Sequence, residues 1–363
     1  MFDTPAVLID EAKMKRNINN MQATINQQQV RLRPHIKTHK IPSIANLQLQ
    51  AGAIGITVAK VSEAEVMAAH GIKDIFIAYP IVTETKIRKM LELSKKIRLI
   101  VGVDSLAGAK LVDRLAREEA LTIEVRIEVD TGLRRTGVQY HDAPRLALEI
   151  ARLESLNVTG IYTFRGALYQ GKPTLDLEKA GQEEGQLMVE LAKQLRDAGI
   201  EIQDVSVGST PSADAVSKVQ GITEVRPGTY IFYDRMQAAF NVCQLEDCAA
   251  SVTCTVVSIP SNDLIVIDGG SKTFASDVQP AVAPLHLEGF GAVVNVPGAI
   301  FERMTEEHGM IKVPKTHRLK VGDNVEIIPN HICSTVNLHN YVYLKTENGD
   351  LKPLEVLARG KVQ

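Results

Sequence analysis

The chain has 363 residues, with 41 Lys plus Arg against 43 Asp plus Glu, a formal net charge of −2 with neutral histidines, and 45% hydrophobic residues. That length suits one large domain or two ordinary ones, and the balanced charge argues against a general nucleic-acid binder. Aromatic residues are 4% and Trp is absent, which leaves few stacking platforms for bases or sugars.

The opening MFDTPAVLID has no basic stretch followed by an apolar one, and no apolar run approaches the length of a membrane span. The four cysteines, Cys243, Cys248, Cys254 and Cys333, form no CxxC pair. The expectation is a cytoplasmic protein with reduced thiols and no membrane partner.

In chain order, a short strand at Ala6–Ile9 comes first. Strands follow near Val30–Lys37, Ile54–Ala59, Asp74–Ala78, Ile97–Val103, Thr122–Val129, Asn157–Thr163, Asp204–Val207 and Thr223–Arg226, with amphipathic stretches between them. Gly181–Gly199 is a long one, with Leu187, Leu191 and Leu195 on one face and Gly199 as its stop. Eight strand-then-helix units in about 200 residues is what a (β/α)8 barrel requires.

After about residue 240 helical periodicity fades. Short strands follow at Ser251–Ser258, Leu264–Ile267, Gly291–Val296, Asn324–Ile328, Leu338–Lys345 and Pro353–Val356, separated by Gly and Pro turns. The fold class is therefore α/β, a TIM-type barrel over 12–237 plus a C-terminal all-β domain over 238–363, to which residues 1–11 are added.

The segment Arg31–Lys40, RLRPHIKTHK, is the first with chemistry in it. On a strand, Leu32, Pro34 and Ile36 would face the helices, while Arg33, His35 and Lys37 point into the barrel. Lys37 then sits at the strand's C-terminal end, where barrel enzymes build their sites. Among other cations its pKa would be depressed, and it could act as an amine nucleophile, typically through a Schiff base. A solvated basic loop is the competing reading. Lys40, past the strand, is expected to be solvated.

VGSTP (Val207–Pro211) and RPGT (Arg226–Thr229) follow the seventh and eighth strands. Barrel phosphate sites are commonly built from those two loops, and small residues let backbone N–H groups approach a dianion. Two ordinary turns are the alternative. VDTGLRRTG (Val129–Gly137) could send an Arg to a ring hydroxyl or a carboxylate, or be a Gly-rich turn. In PNHIC, His331 and Cys333 are two apart and on an extended chain would face the same side. That is a half-site for a borderline-soft ion such as Zn2+ with water or substrate completing it, or else a core cysteine beside an incidental histidine.

Together these segments resemble the fold-type III enzymes of pyridoxal 5′-phosphate (PLP), an alanine-racemase-like barrel with a β domain. Within them, the chain is similar to the metal-activated D-threonine aldolase and D-serine dehydratase group. The resemblance runs from TPAVLID through PHIKTHK, VAKVSEAEVM, VDTGLRRTGV, VSVGSTPSAD, EVRPGTYIFYD and IDGGSK to PNHICSTVNLH.

The resemblance implies that Lys37 carries the cofactor. Arg135 would contact the PLP phenolic oxygen, and Gly208, Ser209, Thr210, Gly228 and Thr229 would hold the phosphate. Arg226 or Tyr169 would approach the pyridine nitrogen. His331 and Cys333 would bind a divalent metal, Zn2+ or Mn2+, with His331 also a candidate catalytic residue. Relatives often carry His or Tyr at the position of Phe164.

The implied activity is a PLP- and metal-dependent lyase on small D-β-hydroxy-α-amino acids. The D-threonine aldolase type would give glycine and an aldehyde. A D-serine or 3-hydroxy-D-amino-acid dehydratase, giving a 2-oxo acid and ammonia, is the alternative suggested by the His-x-Cys pattern. A non-catalytic PLP-binding protein is the third possibility. A homodimer is implied by resemblance alone.

Overall fold

A computed structural model describes residues 2–363. The chain forms two compact units. One comprises residues 21–37, 42–228 and 360–363; the other comprises the residues up to Asn20, then 38–41 and 229–359. Residues 12–20, 38–41 and 229–237, expected with the barrel, thus pack in the second unit. Asn17 shows one cause: its Nδ2 donates to Ile231 O at 3.3 Å and to Asp247 O at 3.0 Å. Lys40 O likewise accepts Ala358 N–H at 3.1 Å.

The first unit is the eight-stranded parallel barrel. Its strands are Arg31–Leu32, Ile56–Val58, Asp74–Pro80, Arg98–Val103, Ile123–Asp130, Leu156–Tyr162, Asp204–Val207 and Glu224–Val225. Each pairs with its neighbour, and the first pairs with the eighth. Ile54 N donates to Leu32 O at 3.0 Å and Thr57 N to Pro34 O at 2.8 Å, which closes the ring.

The helices follow from local sequence. Leu106–Glu118 starts at Ser105, whose hydroxyl accepts Gly108 N–H, and buries Ala109, Val112, Leu115 and Ala116. Leu177–Asp197 starts at Asp176, whose carboxylate accepts Lys179 N–H. It is followed by Gly199 at φ +88°, a backbone that glycine adopts at little cost.

The barrel interior is charged. Arg33, 1% exposed, donates to Glu224 Oε2 at 2.8 Å and to Asp74. Arg126 donates to Glu224 Oε1 at 2.5 Å and to Asp204 Oδ2 at 2.7 Å. Buried ions persist only when so paired.

The first strand is much shorter than Val30–Lys37. Pro34 has no N–H for a ladder, and Ile36–Thr38 turns into a 3-10 helix. Lys37 therefore sits in a tight turn after the strand, where its N–H donates to His35 Nδ1 at 3.3 Å.

The second unit is built on a nine-stranded sheet. In order its strands are Leu264–Ile267, Gly309–Lys312, Ile300–Met304, Gly291–Val293, Asn324–Pro329, Ala250–Ser261, Ala6–Asp10, Tyr341–Lys345 and Leu351–Glu355. Leu264–Ile267 also pairs with Ala250–Ser261, curling that part into a closed ring. The opening strand lies in this sheet, antiparallel to Ala250–Ser261 and parallel to Tyr341–Lys345. Ile300–Met304 and Gly309–Lys312 were not anticipated; a register shift between Phe301 and Arg303 breaks their alternation. Among the described residues no helix is long and apolar enough to cross a membrane.

Candidate functional site

Within the barrel unit, three predicted or flagged residues converge. Lys37 Nζ lies 5.4 Å from the Phe164 ring centroid, and the Arg135 guanidinium carbon lies 4.9 Å from it. Phe164 follows the sixth barrel strand, and Arg135 belongs to the loop after the fifth. Asp130 builds that loop: its Oδ1 accepts Gly132 N–H at 2.8 Å and Arg134 N–H at 3.0 Å. Gly137 closes it at φ +102°, where a Cβ would stand 2.7 Å from Asp130 N. Only glycine fits there.

The glycine-rich loop after the seventh strand is held from beneath. Gly208 N donates to Glu184 Oε1 at 3.0 Å, Ser212 Oγ donates to Glu184 Oε2 at 3.3 Å, and Ser209 N donates to Ser212 Oγ at 3.1 Å. Gly208 has φ +79°, and a Cβ there would meet Val216 Cγ1 at 2.8 Å. Ser209 and Thr210 are buried on the same loop. Burial pushes the Glu184 carboxyl up, while the Gly208 N–H and the charge of Arg226 act against that rise.

Arg226 is itself buried. Its Nη1 donates to Ser206 Oγ at 2.6 Å and its Nη2 to Thr163 O at 2.5 Å. Gly228 is half-buried two residues on. Tyr169 lies half-buried on a hairpin formed by Leu168–Tyr169 and Lys172–Pro173.

In the β unit, His331 and Cys333 are not on an extended strand. His331 caps the short helix Ile332–Val336, so Cys333 lies in its first turn. The two side chains are nevertheless close enough to influence each other's ionisation. His331 Nδ1 is 2.6 Å from Asp277 Oδ2, and Ser334 Oγ donates to the same oxygen at 3.0 Å. The Cys333 sulfur lies 3.1 Å from Thr38 Oγ1 and 3.4 Å from Thr229 Oγ1. Asp234, fully buried, accepts Ile332 N–H at 3.0 Å and so fixes the backbone between the pair.

The electrostatics match a donor pair for a cation. Burial pushes the Cys333 thiol up, but the charge of His331 and the hydrogen bonds from His331 and Thr229 together leave the thiol below its ordinary value. Burial acts to lower His331, but the Cys333 charge and the Asp277 hydrogen bond together outweigh it and raise the imidazole above its ordinary value. With its protons removed, such a pair would offer a divalent ion a thiolate and a neutral imidazole. Among the described residues no cluster of three or more His, Cys, Asp or Glu could hold a metal.

One placement departs from expectation. Lys40 is not solvated: it is 8% exposed and its Nζ donates to Asn337 Oδ1 at 2.9 Å. Sequence reasoning also passed over Glu184, Ser212, Asp234 and Asp277. Ser212, in the GSTPS run, was the one with a visible signal.

With this geometry in place, the comparisons are specific. The family described as the alanine racemase N-terminal domain matches residues 9–236, and a putative serine dehydratase domain matches 249–345. The chain belongs to this alanine-racemase-like, fold-type III PLP family.

It is 36% identical to D-threo-3-hydroxyaspartate dehydratase of Delftia sp. (strain HT23) over 92% of each chain. It is 30% identical to D-threonine aldolase of Arthrobacter sp, over 99% of this chain and 93% of that one. The solved Delftia enzyme superposes with a TM-score of 0.90 at 33% identity, covering 98% of this chain and 97% of that one. The D-threonine aldolase of Filomicrobium marinum superposes at 0.87 with 28% identity, covering 99% and 97%. Structures of D-threo-3-hydroxyaspartate dehydratase include one variant with a histidine replaced by alanine. A second variant, with a cysteine two positions further on replaced, is described as metal-free.

Proposed function

We propose that this protein is a PLP- and divalent-metal-dependent lyase acting on a D-3-hydroxy-α-amino acid, and that it eliminates the hydroxyl to yield a 2-oxo acid and ammonia. The observation that carries the reading is the His331–Cys333 pair, held by Asp277 on one side and by two threonine hydroxyls on the other. The same His-x-Cys spacing occurs where the dehydratase relative was altered, with one variant described as metal-free.

The residues fit both groups. Lys37, Phe164 and Arg135 form a cationic and aromatic cluster for a planar anionic ring. The loop of Gly208, Ser209 and Thr210 offers small residues at the C-terminal end of a barrel strand, where a phosphate would be held. His331 and Cys333 are the nitrogen and thiolate donors of a borderline-soft ion, with positions left for water or substrate. When bound, PLP supplies an electron sink at the substrate α-carbon, and the metal supplies a Lewis acid for the β-hydroxyl.

This chain's own residues do the rest. Lys37 Nζ is the amine that would hold the cofactor, and the same group would take the proton from the substrate α-carbon. Phe164 would offer an aromatic surface beside the ring but exchange no proton, which leaves proton transfer to Lys37. Asp277 keeps His331 Nδ1 occupied, so Nε2 is the nitrogen that would be left to hold a metal. Arg226 can donate to the pyridine nitrogen but cannot protonate it.

Aldol cleavage to glycine and an aldehyde is the second reading, supported by the two D-threonine aldolases of similar fold and sequence. A non-catalytic PLP carrier is less favoured, because it leaves the ordered His331–Cys333 pair without use. A cytoplasmic homodimer completes the proposal on family resemblance. Product analysis with D-serine, D-threonine and D-threo-3-hydroxyaspartate, with and without EDTA, separates these readings.

A further inference from the structure

Arg165 follows Phe164 at the end of the sixth barrel strand and is 2% exposed. Its Nη2 pairs with Glu183 Oε2 at 2.5 Å. Its Nε and Nη1 are closed off from solvent and have no partner. A buried guanidinium with two idle donors calls for an explanation.

Its surroundings suggest one. Glu183 and Glu184 are neighbours on the helix Leu177–Asp197. Glu184 holds Gly208 N and Ser212 Oγ of the glycine-rich loop, and its carboxyl feels the charges of both Arg226 and Arg165. The sixth and seventh strands pair in parallel. The segment carrying Arg165 and the loop that begins at Gly208 therefore leave adjacent strands at the same end of the barrel. The residues assigned to the phosphate (Gly208, Ser209, Thr210, Gly228 and Thr229) carry no positive charge. A dianion in a buried site needs a counter-charge as well as N–H donors.

We propose that Arg165 is the cationic member of the phosphate site, its idle Nε and Nη1 donors meeting oxygens of a phosphate monoester. This rests on the cofactor reading above. If Arg165 were only the partner of Glu183, its loss would disturb the unit without regard to phosphate.

The test compares PLP with pyridoxal, which lacks the phosphate, on the full-length protein by absorbance titration. Arg165→Met is expected to weaken PLP binding at least tenfold and to leave pyridoxal binding within twofold. Arg165→Lys, which keeps the charge and folds more readily, is expected to lose less. Glu183→Gln, which removes the ion-pair partner and keeps Arg165, is expected to hold the PLP-to-pyridoxal affinity ratio within threefold of the parent.

A parallel fall for both ligands in the Arg165 variants, or no fall for PLP, overturns the proposal. So does a Glu183→Gln variant that loses phosphate preference as fully as Arg165→Met. Inorganic phosphate separates this from failure of the cofactor reading. If neither pyridoxal compound binds, a thermal shift by phosphate that Arg165→Met and Arg165→Lys diminish still supports Arg165 as an anion ligand. An unchanged shift, or none in the parent, contradicts it.

Discussion

His331 Nδ1 lies 2.6 Å from Asp277 Oδ2, which leaves Nε2 as the ring nitrogen available beside Cys333. Carboxylate partners of this kind fix the tautomer and orientation of a metal-binding imidazole, and their loss typically lowers metal affinity about 10–100-fold. Asp277→Ala is expected to weaken Zn2+ binding by that order, measured by competition with a chromophoric chelator. Asp277→Asn, which keeps a hydrogen-bonding group without the charge, should fall between. Unchanged affinity in both variants would remove Asp277 from the site.

Lys37→Ala is expected to abolish the absorbance band of covalently held cofactor and to lower turnover by at least about 10²–10⁴-fold, the usual contribution of a positioned proton-transfer group. Spectroscopy with sodium borohydride trapping and peptide mapping checks both the loss and the site of attachment. Attachment at Lys40 instead would contradict the assignment; Lys40 Nζ is engaged with Asn337.

Gly208→Ala combines a left-handed backbone, φ +79°, with a Cβ placed 2.8 Å from Val216 Cγ1. The backbone alone costs about 1–2 kcal/mol. Urea denaturation should show a loss of at least that size, and PLP titration should show weaker binding, because the displaced loop loses its Glu184 contact. A stability equal to the parent would mean that the loop readjusts freely.

Much of the barrel was legible because its strands repeat a simple pattern. Asp204–Val207 was placed residue for residue, and most other strands within a few positions. The first strand was overread because Arg31–Lys37 continues the alternation after its ladder has ended. Arg33 still points inward as the alternation predicts, onto Glu224.

The site was legible where two functional residues are close in sequence, as with His331 and Cys333. It was not legible where the partner is a distant, ordinary acid. Asp277 is 54 residues from His331 and Glu184 is 24 from Gly208. Neither stands in a motif of its own, and only the fold brings them into contact.

Glu224 sets an acid limit on the barrel. Burial opposes its ionisation, but Arg126 and Arg33 outweigh burial and hold its carboxyl far below the usual range. A depressed folded-state pKa contributes stability above the unfolded value of about 4.3 and loses it as pH falls further. Stability should therefore decline below about pH 4. Glu224→Gln should cost about 3–5 kcal/mol at pH 7, because two buried arginines lose their shared partner. Its difference from the parent should shrink on acidification, measured by urea denaturation from pH 7 to pH 3. A difference independent of pH would show that Glu224 is not ionised in the fold.

Metal-dependent elimination from a D-3-hydroxy amino acid is the reaction proposed for this protein. The most direct measurement is product analysis of the purified protein with PLP and D-threo-3-hydroxyaspartate, before EDTA, after EDTA, and after Zn2+ is restored. A 2-oxo acid and ammonia are expected in equal amounts, lost with EDTA and recovered with Zn2+. Glycine and an aldehyde as the only products, or turnover indifferent to EDTA, would contradict it.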